Sequence, residues 1–133
     1  MLNTWEKKIV SDKKEKKLTY AMTVDGATKH IKSAKESFNK AKILIGTYLC
    51  SDFDLDYKDN VVETLAEYMT NMKFYADFMQ TQLLSGNRIK NKKTGEDTIV
   101  VPSEDFSIIN SYLITTATCE NELESLGVSV QTH

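Results

Sequence analysis

Residues 20–48 read YAMTVDGATKHIKSAKESFNKAKILIGTY, with apolar or small side chains at Tyr20, Val24, Ala27, Ile31, Ala34, Phe38, Ala41, Ile45 and Tyr48. Spacings of four and three alternate for four repeats, the heptad rule of a helix that buries one stripe. Lys29, Lys32, Lys35, Lys40 and Lys42 surround the stripe, so the rest of the surface is solvated. The pattern predicts a helix over residues 20–51. Gly26 weakens its first turns, and Thr23 or Asp25 is placed to cap it.

The same rule governs the next apolar segment, where Val62, Leu65, Met69, Met72, Ala76, Met79 and Leu83 alternate spacings of three and four. A second helix is predicted over residues 59–85, stopped by Gly86 and Asn87. Val61, Tyr68, Phe74, Tyr75 and Phe78 widen its apolar face, so it should touch more than one neighbour and form the centre of the core. Residues 88–101, RIKNKKTGEDTIVV, are two β-prone runs around a glycine-containing turn and predict a β-hairpin. A hairpin alone is marginal in water, so this one should lean on the bundle or a partner through Ile89, Ile99 and Val101.

Pro102 ends the hairpin, and Ser103 is placed to cap a third helix over residues 103–126, with Glu104 and Asp105 in its favourable first turn. Its inner face should carry Phe106, Ile109, Leu113, Thr116, Cys119, Leu123 and Leu126, with Gly127 closing it. The tail VSVQTH is expected to be loose. Residues 1–18 combine Trp5, Ile9 and Val10 with six lysines and read as a basic arm or short helix.

These elements define an all-α protein: an elongated antiparallel bundle of three to four helices, with a small β-hairpin between the second and third long helices. The 133 residues suit one domain, 1–133. One proline and five glycines argue against a β-sandwich or barrel. Long amphipathic helices need partner surfaces, so the elongated bundle is expected to form a homo-oligomer.

An apolar share of 41% and a charged share of 27% are those of a globular chain. Ile9 and Val10 are followed at once by Ser-Asp-Lys-Lys, so no signal peptide is expected, and no apolar run reaches the roughly 18 residues of a membrane span. The expected location is cytoplasmic, with Cys50 and Cys119 as reduced core thiols. Charge is uneven: residues 1–42 hold eleven lysines against five acids, and residues 43–133 hold six basic against fourteen acidic residues. Such polarity suits antiparallel helices, a neighbouring subunit or a nucleic-acid arm.

No catalytic residue is assigned and no cofactor is expected. Histidine occurs only at His30 and His133, and no phosphate-binding glycine loop, HExxH or ExxH pair is present. Glu63 and Glu67 share a helical face, an arrangement usual for solvated carboxylates. The stretch from Asp52 to Glu63, with Asp52, Asp54 and Asp56 at its first, third and fifth places, Asn60 at the ninth and Glu63 at the twelfth, resembles an EF-hand calcium loop. It departs from that pattern at Tyr57, where the turn needs glycine, and at Asp59, where paired loops need an apolar residue. The alternative is an interhelical loop in which Asp56 or Asp59 caps the second helix.

The function expected is a non-enzymatic interaction protein: an adaptor, assembly factor or protein inhibitor, of a size and composition that suit a bacterial or bacteriophage accessory protein. The expected contact residues for a protein partner are Tyr68, Phe74, Tyr75 and Phe78 of the second helix and Arg88, Lys90, Lys92 and Lys93 of the hairpin. The runner-up is nucleic-acid binding through Lys7, Lys8, Lys13, Lys14, Lys16 and Lys17, with the hairpin lysines as a second cluster. Against it stand the mildly acidic whole and a single arginine.

Overall fold

In the computed structural model, which describes residues 6–11, 16–85, 87–90, 92 and 95–130, the chain runs β1 (Glu6–Ser11), β2 (Lys16–Thr23), α1 (Val24–Leu49), α2 (Leu55–Ser85), β3 (Asn87–Lys90), β4 (Asp97–Pro102), α3 (Ser103–Ser125). The three long helices and the hairpin of β3 and β4 follow the heptad and turn signals. The basic arm does not become a helix. It forms the antiparallel pair β1–β2, which joins the hairpin in one four-stranded sheet of order β1-β2-β4-β3. Trp5, Gly86 and His133 lie outside the described residues.

Why a strand wins over the predicted helix at residues 20–23 is visible in the pairing. Tyr20 faces Val101 and Met22 faces Ile99 across β2 and β4, and Met22, Ile99 and Val101 are buried. The β3–β4 hairpin is thereby supported by a second hairpin, which removes the weakness of a two-stranded unit. Pro102, lacking an N–H, sits at the last position of β4, where it interrupts no ladder. Ile89, expected to face the core, is instead mostly exposed on the edge strand β3.

Thr23 ends β2 and caps α1, its Oγ1 accepting from Gly26 N at 3.0 Å. A Cβ on residue 26 would stand 2.9 Å from that oxygen, so glycine here gives the cap its room. Asp54, rather than Asp56 or Asp59, caps α2: its carboxylate accepts from Asp56 N and its carbonyl from Lys58 N. Helix α2 therefore starts four residues earlier than expected. Ser103 is the first residue of α3 and makes no side-chain cap; Pro102 holds the cap position. At the other end of α3, Gly127 (φ +81°) lets Gly127 N bond Glu124 O and Val128 N bond Leu123 O, a Schellman closure. That turn sends the tail back into the protein, and Val128 and Val130 are buried in the core rather than loose.

Ala27, Ala34 and Ala41 recur every seventh residue of α1 and are completely buried. Side chains this small let the backbone of α1 approach α2, whose Val61, Leu65, Tyr68, Met72, Tyr75 and Met79 are also buried. The first seam is thus spent inside the chain. Helix α2 packs on α1 and on α3, while α1 and α3 meet far less. Asn71 Nδ2 donates to Tyr112 O at 3.0 Å and to Thr116 Oγ1 at 2.7 Å, and Tyr75 Oη lies 2.9 Å from His30 Nδ1. These buried and part-buried polar contacts fix the height of one helix against the next, because a slip would orphan them.

Replacing Ala34 by Leu should force the helices apart and cost about 1–3 kcal/mol of stability. Urea unfolding followed by circular dichroism checks this, with the exposed Lys35→Leu as a control expected to change little.

Candidate functional site

The four α2 aromatics expected to meet a partner divide into two pairs. Tyr68 and Tyr75 are fully buried and belong to the core, because α2 has a helix on each of two sides and their positions face inward. Burial pushes the Tyr68 hydroxyl up to about 12, reinforced by Glu120, whose Oε1 lies 3.5 Å away; a contact with Ser37 opposes the rise. Neither tyrosine is available to a second molecule. Phe74 and Phe78, one turn apart, share one face of α2. Phe74 is 52% exposed, and the Phe78 ring meets Tyr112 of α3 edge-on at 6.2 Å.

One turn before Tyr112, Ile108 is 43% exposed. By helical spacing Phe74 shares the face of Phe78, and Ile108 that of Tyr112, so the four gather along one side of the α2–α3 pair as an apolar strip. Sequence composition shows the aromatic richness of α2, but the contribution of α3 was missed. Its signal lay in Ile108 and Ile109 standing side by side, two apolar residues that cannot both face inward.

The cationic hairpin residues are placed as expected in part. Arg88, Lys90 and Lys92 are exposed, with the Arg88 guanidinium donating to Leu83 O at the end of α2. Lys93, Lys13 and Lys14 lie outside the described residues. Lys7 and Lys8 stand in β1 opposite Tyr20 and Thr19, and Lys16 and Lys17 stand in β2 opposite Ser11 and Val10. Of the described members of the two clusters, Lys7, Lys8, Lys16 and Lys17 therefore stand in β1–β2 and Arg88 and Lys90 in β3 of the same sheet.

The acidic connection does not form a twelve-residue loop. Residues 55–63 are helical, so Asp56, Asn60 and Glu63 are spread along α2 while Asp52 and Asp54 stay in the turn before it. Tyr57 explains the outcome: in place of a glycine at the turn it enters the helix, donates to Leu126 O at 2.6 Å and packs against Tyr48 and Phe53. Among the described residues no group of three His, Cys, Asp or Glu side chains is placed to hold a metal, and no helix is long and apolar enough to cross a membrane.

Both cysteines are free. Cys119 is buried as expected, and burial raises its thiol to about 11, with Glu67, Glu122 and Glu120 adding to the rise; Cys50 is exposed at the end of α1. No protein-family model matches the chain, and no curated protein or solved structure matches it.

His30, half-buried beside Tyr75, is held below the usual histidine value by burial. A group lowered on folding is protonated first in the unfolded chain, so its contribution to stability is full above pH 6.5 and lost as pH falls through the folded value. Urea midpoints between pH 8 and 5 should fall on the acid side of about 6.5, the ordinary histidine value, and His30→Gln should flatten that fall.

Proposed function

We propose that this protein is a non-catalytic interaction protein that binds a macromolecular partner, as an adaptor, assembly factor or inhibitor, through the apolar strip of Phe74, Phe78, Tyr112 and Ile108. The observation that carries the reading is the exposure of Phe74 and Ile108 on two helices whose inner faces are already filled. Isolated exposed apolar residues are ordinary; large aromatic and aliphatic side chains gathered over one helix pair are the usual centre of a protein interface. The strip would accept the apolar face of a partner helix, with flanking polar residues forming the rim.

A second reading is nucleic-acid binding, favoured by the meeting of Lys7, Lys8, Lys16 and Lys17 with Arg88 and Lys90 in one sheet. Strands about 4.8 Å apart set β1 and β3 roughly 14 Å from each other, a span over which separate phosphates can be met. Its mark would be binding to DNA or RNA that weakens steeply with salt and is lost when Lys7, Lys8, Lys16 and Lys17 become Ala.

For the protein-partner reading, the chain carrying a photo-crosslinker at position 74 should capture one partner from extracts of its own source. The captured partner, purified, should bind the unaltered chain and lose at least tenfold in affinity with Phe74→Asp and Ile108→Asp, an interface-centre loss of about 1.4 kcal/mol or more. Both changes are at partly exposed positions and should leave thermal unfolding nearly unchanged. Unaltered affinity in the double variant would reject the strip.

A further inference from the structure

The three helices place their ends systematically. Helix α1 begins where β2 ends, α2 ends two residues before β3, and α3 begins directly after β4. One end of the molecule is therefore the sheet. The other end, the tip, gathers the C-termini of α1 and α3, the N-terminus of α2 and the tail, tied together by the Tyr57 hydrogen bond to Leu126 O.

The two ends differ in charge. At the tip, residues 38–67 and 118–130 carry nine carboxylates and three basic residues, Lys40, Lys42 and Lys58, and the Lys58 ammonium donates to Ser51 O at 3.0 Å. Glu122 and Glu124 stand near the negative end of the α3 dipole, and the last turns of α1 and α3 hold no basic residue. That arrangement disfavours the isolated tip and favours any cation brought to it. The four strands, by contrast, carry six basic and two acidic residues, with Lys92 and Glu96 between β3 and β4 and Asp25, Glu104 and Asp105 in the adjoining first turns of α1 and α3; Lys90 of β3 and Lys92 are exposed.

Charge is joined at the tip by apolar surface and by a cleft. Leu49, Phe53 and Leu55 are each more than half exposed, and Phe53 is held in place by ring contacts with Tyr48 at 5.5 Å and Tyr57 at 5.3 Å. Glu120 and Glu124, with Gly127, Val128, Ser129 and Val130, line a cleft of about 240 Å³. A carboxylate-walled cleft beside an apolar patch suits a surface that offers lysine side chains with apolar stems.

We infer that the tip docks onto the lysine-rich sheet end of a second copy of this chain, head to tail. Helix α1 alone spans about 40 Å, several times the ~10 Å Debye length at 0.1 M salt. The ends of one molecule therefore cannot neutralise each other, whereas a second copy presents the complementary end at equal concentration. The contact joins two different surfaces, so repetition builds open chains or rings rather than a closed two-fold dimer. It uses neither Phe74 nor Ile108 and stands apart from the partner reading above.

Light scattering on the full chain tests this at about 50 mM and about 500 mM salt, where the screening length falls to a few ångströms. The mass should climb above 15.1 kDa with protein concentration at low salt and return to 15.1 kDa at high salt. A tip variant (Leu49→Asp with Phe53→Asp) and a sheet variant (Lys8, Lys17, Lys90 and Lys92 each to Glu) should both be monomeric alone. Mixed, they should form a species of twice the mass, since one retains an intact sheet end and the other an intact tip. Circular dichroism melting confirms that each variant is folded, and the salt series on the unaltered chain stands without them. A chain monomeric at low salt at every concentration overturns the inference, as does self-association by either folded variant alone or a mixture that stays monomeric.

Discussion

Three alanines on α1, seven residues apart, set how closely the first two helices approach. With nothing larger than a methyl group along that line, the long face of α2 can press its leucine, methionines and tyrosines against the α1 backbone. A larger residue there would lift α1 away, and the His30 contact with Tyr75 would open with it. Helix α2 in turn holds α3 through Asn71 and Thr116. The sheet then closes one end of the bundle, with Tyr20 of β2 stacked on Phe106 of α3 at 3.7 Å. Each layer is positioned by the one before it, and the sequence begins from the smallest side chains in the core.

The helical architecture was legible because a 3.5-residue apolar period over four repeats has few other solutions. The arm was not legible for a physical reason. Tyr20 stands four residues before Val24, the heptad spacing of the helix that follows, so by spacing it reads as that helix's first turn, while the strand it belongs to depends on partners about eighty residues away in β4. Local spacing cannot register a partner that distant. The tail failed similarly: Val128 and Val130 alternate as a buried strand would, yet two residues make too short a pattern to weigh against terminal fraying.

The interaction surface was legible in composition and misassigned in geometry. Four aromatics on one helix announced an excess of apolar area, but whether a given aromatic is core or surface depends on how many neighbours flank the helix. With α1 and α3 on different sides, Tyr68 and Tyr75 fall inside and Phe74 falls out. The calcium-like spacing shows the opposite error, since carboxylates in the right order along a chain need a turn to converge. Here Asp54 caps a helix instead, and the ligand order is drawn out along its axis.

The pairing of β2 with β4 also dictates the order in which the protein can be completed. Thr19 faces Pro102 and Thr23 faces Thr98, so during synthesis β2 leaves the ribosome long before its partner exists. Until then the α1–α2 hairpin can form from contacts close in sequence, while Met22 has no sheet partner to face. The last strand acts as the fastener of the fold, and a chain interrupted before β4 retains two helices with one end open.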